Sequence, residues 1–455
     1  MSALRARRER YKRFTYGRQW DDPVTDPLTG QTLTERALIS KDGRTPLTNN
    51  LIRQMVKNIV GRFRAEHSLE TQLTAGDDEA ARNMRRRLGR IYAENELEEL
   101  DARLLEEFLI SGIAIQRVAS GNHERDRGLP KVVNVNPTRC FMHIPLDPRG
   151  TDLRLIGMLH DLTPEEVIGR WSNGDLRFDK RLLDRARLLA SSTAHLSSPA
   201  LSSPEFALAP EGMVRVVEIW TRSTVRFVRS HDPSKAVMRI EAEEAASSDE
   251  PAVSGLRRSE YADRWSVGWY LSDGTLLSRH DCPPSESHPF FLRLYPLVDG
   301  EIHSLVEDVV DQQKYVNRLV NLIDRMMATA AKGALLFPVD ALPEGASFHD
   351  IARQWAATDG IVLYKGFGTD PPPRQLQTNV GDIGAKDLLK VQMQLFQDIS
   401  GVGDSLAGRN LPANIGADRY NLQIENASMS IRDLLSTFGS MLDARDLCLL
   451  KSYKP

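Results

Sequence analysis

The sequence predicts an α+β fold that is mainly α, and three observations predict it. The first is the stretch Glu301 to Lys332. There Ile302, Leu305, Val309, Val316, Leu319, Ile323, Met326 and Ala330 recur at steps of three and four, the seam of a long amphipathic helix. The second is a pair of later helical patterns, one on Leu388, Leu389, Val391, Leu395, Phe396 and Ile399, the other running from Leu422 to Leu442. The third is a set of short strand-like runs in the first two thirds of the chain, bounded by Gly, Pro, Asn and Asp.

Taken in order, Arg5 to Arg13 places six basic residues in nine and reads as a solvated arm, or as one that meets phosphates or a neighbouring subunit. Tyr16-Gly-Arg-Gln-Trp20 follows, then a stretch rich in Pro, Asp and Gly that reads as loop to Gly43. Leu51, Ile52, Met55, Val56, Ile59 and Val60 predict a helix over 49–62. Asp77, Asp78 and Glu79 at a helix start, with Arg85, Arg86 and Arg87 late in it, suit the helix dipole. A helix over 97–109 ends at Ser111-Gly112, and strands are expected over 113–119, 131–135 and 141–144. Thr163-Pro-Glu-Glu166 carries the signature of a capped helix start.

Residues 190–212, rich in Ser, Ala and Pro, read as a loop, 214–228 as a strand pair, and 265–277 as a hairpin turning on Asp273-Gly274. Between the last two, 241–250 is acidic and poorly patterned. Pro296 to Gly300 leads into the long helix, which would reach roughly 48 Å at about 1.5 Å per residue. Val306, Val310, Val320 and Met327 widen its stripe so that it should touch more than one neighbour, and only Gln312 and Gln313 interrupt the seam. Beyond it, strands at 334–337, 361–364 and 374–378 and a helix at 348–357 form a small α/β unit. A helix over 383–399, a Gly-rich loop over 401–417 and a final helix over 418–450 complete the chain.

At 455 residues the chain is long enough for two or three domains. No apolar run approaches the ~20 residues of a membrane span, so no membrane is expected as a partner. Three distant cysteines, Cys140, Cys282 and Cys448, read as reduced thiols. A net charge of −3 is far from the strongly basic balance usual in a protein built to grip nucleic acid. No phosphate-binding Gly-rich loop ending in Gly-Lys-Ser/Thr occurs, and His280, Cys282 and His288 make only a weak metal cluster. Gly403-Asp-Ser-Leu406 resembles the nucleophile motif of a class of esterases, but no histidine follows Ser405 to act as its base. The expectation is therefore no catalytic residue, no metal and no cofactor.

The order of elements resembles that of the portal proteins of tailed double-stranded DNA bacteriophages. Tyr16 to Trp20, Asn50 to Gly61, Asn95 to Gly112, Val135-Asn-Pro137, Asp311-Gln-Gln313 with Asn317-Arg318, and Ile399 to Gly408 are similar to portal segments in the same order. The chain departs from many portals in having little after its final helix. The resemblance implies a portal fold: a basic arm and loop at 1–48, a wing at 49–300, a stem helix at 301–332, a clip at 333–379, a returning stem helix at 380–400, a tunnel loop at 401–417, and a C-terminal wing or short crown helix at 418–455.

It implies a ring-shaped homo-oligomer, usually of twelve, at one capsid vertex of the virion, assembled in the host cytoplasm, through which DNA is packaged and ejected. Leu305, Val309, Val316, Leu319, Ile323 and Met326 would join stems, and Arg409, Asn410 and Asn414 would face double-stranded DNA without reading its sequence. Phe337, Tyr364 and Arg374 would meet partners at the clip. The implied partners are the large terminase, a head–tail adaptor, and the major capsid and scaffolding proteins. Two other readings stay open: a helical capsid or scaffold assembly protein that translocates no DNA, and a serine hydrolase using Ser405.

Overall fold

The computed structural model describes residues 2–27, 29–41, 44–66, 79–119, 129–192, 209–232, 237–242, 257–283, 286–332, 334–336, 347, 349, 374–376, 384–402 and 417–452. The fold is α+β with more helix than strand. The chain divides into two compact units, one made of residues 1–16, 52–308 and 400–455, the other of 17–51 and 309–399.

In the first unit the basic N-terminal stretch is a helix, α1 (Ser2–Thr15), and not a solvated arm. Leu4, Tyr11, Phe14 and Thr15 are buried, and so are Arg5 and Arg8. The six cations obscure this stripe in the sequence. Yet Arg5 donates to the Cys140 carbonyl at 2.9 Å, and Arg8 grips the Glu107 carboxylate with two nitrogens at 2.5 and 2.7 Å. Such bidentate pairs suit arginine geometry.

Helices α3 (Leu51–Glu66), α4 (Glu79–Asn95) and α5 (Leu97–Ser111) follow, α2 (Glu35–Lys41) belonging to the second unit. Gly112 ends α5 at φ +72°, and its amide returns to the Phe108 carbonyl at 2.8 Å. A Cβ there would collide with the His303 carbonyl oxygen, so both space and conformation demand glycine.

Strands β3 (Ile113–Ala119) and β4 (Lys131–Asn134) pair antiparallel, as expected, and β11 (Phe290–Leu294) joins the other edge of β3. A larger sheet runs β10-β9-β7-β6-β5, with β8 (Val237–Ala242) also on β7. Its strands are β5 (Cys140–Met142), β6 (Leu155–Leu162), β7 (Val214–Asp232), β9 (Arg257–Leu271) and β10 (Leu276–Asp281). The expected pair within 214–228 is a single 19-residue strand, because no Gly, Pro, Asn or Asp interrupts it. Leu4, Ile113, Ile115, Cys140, Ile156, Trp265, Phe290, Leu294 and Ile302 pack into one core of this unit. Helices α6 (Pro164–Trp171) and α7 (Leu176–Ser192) cover the larger sheet through Val167, Leu182 and Ala186 against Val214 and Val216. The start of α6 is a capping box: Thr163 accepts from the Glu166 amide and Glu166 accepts from the Thr163 amide.

The C-terminal helix α10 (Ala417–Ser452) buries Ile431, Leu434, Phe438, Met441, Leu442 and Leu449. Phe438 lies 5.5 Å from Phe63 and 5.6 Å from Phe108 between ring centroids. Arg445, fully enclosed, donates to Asp101, Gln116, Tyr92 and Asp446. A charge so deep is tolerated only when paired, and here four acceptors satisfy it.

The long helix α8 (Leu305–Lys332) starts four residues later than expected, at about 42 Å for its 28 residues. Glu301–Ile302 is instead strand β13, paired with β12 (Leu297–Val298) around Asp299 and Gly300, both at positive φ. Ser304 caps the helix, its hydroxyl accepting from the Glu307 amide at 3.1 Å while its own amide donates to the Glu307 carboxylate.

In the second unit, residues read as loop form a hairpin of β1 (Pro23–Thr25) and β2 (Thr32–Thr34) and the helix α2 (Glu35–Lys41). Trp20 is buried and donates to the Thr48 hydroxyl at 2.9 Å. Strands β14 (Ala334–Leu336) and β15 (Arg374–Leu376) pair antiparallel, and α9 (Ala385–Ser400) matches the expected helix. All but residue 349 of the helix expected at 348–357, the whole strand expected at 361–364, and residues 403–416 of the loop expected at 401–417 lie outside the described residues.

Candidate functional site

The second unit carries the segments from which the sequence leads one to expect assembly, and α8 is its backbone. One face of α8 is a polar ladder. Gln313, Asn317 and Asn321 recur every four residues, about 6 Å of helix rise, beside the extended residues 47–51. Gln313 accepts from the Leu51 amide at 2.8 Å and donates to the Asn49 carbonyl at 2.6 Å. Asn317 accepts from the Asn49 amide at 2.8 Å. Asn321 accepts from the Leu47 amide at 2.9 Å and donates to the Leu47 carbonyl at 3.1 Å.

An extended chain offers its amide and carbonyl to one side at every second residue, close to the helix repeat, so three side chains imitate a neighbouring strand. Glu35, itself buried, takes two bonds from Arg318 at 2.9 and 2.7 Å and lies 3.8 Å from Lys314. The glutamine that interrupts the apolar seam is thus a clamp, and Gln313, Lys314, Asn317 and Arg318 hold Glu35, Asn49 and Leu51.

The expected stem residues divide. Val309, Val316 and Leu319 are already buried within a single chain, whereas Leu305, Ile323 and Met326 are half-buried. Among the described side chains of α8, the apolar ones left open are Tyr315, Leu322 and Met327, the last 67 % exposed. Helix α9 is opened further. Leu388, Val391, Leu395 and Ile399, at steps of three, four and four, are 39, 52, 39 and 42 % exposed, and Met393 joins them. Phe396 alone among its large apolar residues is fully buried. An amphipathic helix normally turns such a stripe inward; here it faces out. The sequence pattern marks this helix, but nothing in it reveals that its stripe stays exposed among the described residues.

Other expected residues fall elsewhere. Arg374 opens β15 opposite Leu336. Phe337, Tyr364, Arg409, Asn410 and Asn414, like Ser405, lie outside the described residues. Around the weak metal cluster, the His288 ring packs edge-on to Trp265 at 4.6 Å, and its Nδ1 accepts from the Phe290 amide. Burial pushes the His288 pKa down to about 4. Burial pushes the Cys140 thiol up to about 12, which leaves it inert as a nucleophile. Among the described residues no group of three His, Cys, Asp or Glu side chains could hold a metal, and no helix is long and apolar enough to cross a membrane.

The arrangement offers no catalytic constellation among these residues. It offers a helix clamped by hydrogen bonds to residues 47–51 and a second helix with an exposed apolar stripe. The family model described as phage P22-like portal protein matches residues 1–441. No curated protein matches the chain.

Proposed function

The chain belongs to the phage P22-like portal protein family, and from that premise we propose that it forms a closed ring at one capsid vertex through which double-stranded DNA is packaged and ejected. The observation that carries this reading is the open stripe Leu388, Val391, Leu395 and Ile399, with Tyr315, Leu322 and Met327 on α8. Exposed apolar stripes of this kind mark protein interfaces. In a closed ring the same patch meets the neighbouring copy at every position, so no copy is left with a sticky edge. Leu305, Ile323 and Met326, half-buried, complete the stem contact, while Val309, Val316 and Leu319 hold the stem from within.

In this reading the loop at 401–417 faces DNA with Arg409, Asn410 and Asn414, touching phosphates without reading bases. The near-neutral charge of −3 per chain favours sliding over tight grip. The segment 333–379, with Phe337, Tyr364 and Arg374, docks the large terminase during packaging and the tail adaptor afterwards. Capsid and scaffolding proteins are the remaining partners during assembly in the host cytoplasm.

The test is Leu395→Asp. This half-exposed position tolerates a charge in the single chain, within about 0.5 kcal/mol, but a charge buried between copies has no partner. Rings should be lost in sedimentation and electron microscopy, while circular dichroism and thermal unfolding stay as in wild type. A Leu395→Asp protein that still forms rings would remove α9 from the interface. Leu319→Asp is the wrong probe, since Leu319 is buried within the chain and its charge would unfold the unit itself.

A further inference from the structure

Helix α4 carries Arg82, Arg85, Arg86, Arg87 and Arg90 against only Glu79 and Glu94. The helix dipole does not account for them. The helix continues to Asn95 with no basic residue in its last turn, and the dipole acts mainly within the terminal turns. Its inner face is spent on packing: Leu88, Ile91 and Tyr92 pack with Leu97, Val118, Val132 and Leu449. On the outer face Arg82, Arg86 and Arg90 recur every four residues, all exposed. Among the described residues none of the three has an ion pair or a side-chain hydrogen bond. Some exposed arginines elsewhere in this unit pair with carboxylates, Arg103 with Glu99, Arg185 with Asp273 and Arg187 with Glu165, while Arg154, Arg170, Arg177 and Arg432 are exposed with no ion pair among the described residues. What sets Arg82, Arg86 and Arg90 apart is their regular repeat along one helix face. Like charges four residues apart repel along a helix, and five arginines against two glutamates leave this helix with an excess of positive charge, so a polyanion outside the chain would relieve it.

We propose that Arg82, Arg86 and Arg90 form a phosphate-contact surface that holds duplex DNA, separate from the loop at 401–417. The repeat of the stripe is about 6 Å per arginine, wider than the about 3.4 Å of duplex axis per phosphate on one strand, so the three guanidinium groups are spaced to reach separate phosphates. Arginine's planar fork suits bidentate phosphate contact. The face around the stripe has Asn83 and Arg87 exposed beside it, with Met84 its one large exposed apolar residue. That composition matches the polar, cationic character of a DNA interface more closely than the apolar centre of a protein interface. The inference rests on the portal reading only in taking DNA as the polyanion.

The full-length R82Q/R86Q/R90Q protein, which keeps helix-forming side chains at every site, is compared with wild type and with R82K/R86K/R90K. Each is titrated with a fluorescent duplex of random sequence across a salt series, beside electron microscopy of the same preparations. The Gln protein should assemble like wild type and bind about tenfold or more weakly at low salt, with a slope of log affinity against log salt shallower by about 2 to 3. The Lys protein should keep most of that slope. An unchanged slope in the Gln protein, or a wild type that does not bind the duplex, overturns the proposal. Loss of rings with an unchanged slope also overturns it and assigns the stripe to an acidic protein surface. Stripe-dependent binding by a wild type that forms no rings would uphold it while ending the portal reading.

Discussion

Glu218 is fully enclosed in β7, yet three donors surround its carboxylate: Arg117 at 2.9 Å, His160 at 2.8 Å and the Trp220 indole at 2.8 Å. Burial by itself would raise its pKa. The His160 hydrogen bond, the Arg117 charge and the Trp220 bond outweigh that and hold it below the usual carboxylate range. The folded protein therefore binds this proton less readily than the unfolded chain does. The stability so gained is present above the unfolded value near ~4.3 and is lost as pH falls through the lower folded value. Glu218→Gln should destabilise the chain by about 3 kcal/mol at neutral pH. In urea titrations the gap to wild type should narrow below about pH 4. A constant gap down to pH 3 would mean that packing, not charge, holds this site. The sequence gives little warning of it: Glu218 sits in a strand of mixed residues, and its cationic partner lies 101 positions away.

At the scale of elements, Gln313 shows how a polar break in an apolar seam can be structural. Leu51 opens α3, and the first amides of a helix have no partner within it; Gln313 supplies one from α8. Gln313→Leu would leave the Leu51 amide and the Asn49 carbonyl unpaired, costing about 1–3 kcal/mol. Amide exchange at Leu51 should rise at least about tenfold in native conditions, with α8 itself still protected. Unchanged exchange would show that the ladder does not hold this segment.

Elements with local chemistry were legible: the Thr163–Glu166 box, the Asp273-Gly274 hairpin, and helices whose apolar spacing is regular. Those whose meaning depends on distant partners were not. The arginine-rich α1 looks like an arm because its buried Leu4, Tyr11 and Phe14 are outnumbered by charge. The Ser304–Glu307 box, which starts α8 later than the seam suggests, was present in the sequence but masked by the apolar Ile302.

For the whole molecule, the order of segments was enough to raise the portal resemblance, and the family match over residues 1–441 agrees with it. What order cannot convey is which apolar residues a single chain covers. Val316 and Leu319 share the seam with Ile323 and Met326, but only the first two are buried. Helix α9, a plain amphipathic helix in sequence, keeps four stripe residues open. An account that gives this face to neighbouring copies is tested most directly by electron microscopy and mass measurement of the purified wild-type protein over a wide concentration range. The account predicts closed rings of one fixed subunit number around a central hole. A protein that stays monomeric throughout, or that grows into open filaments, would contradict it.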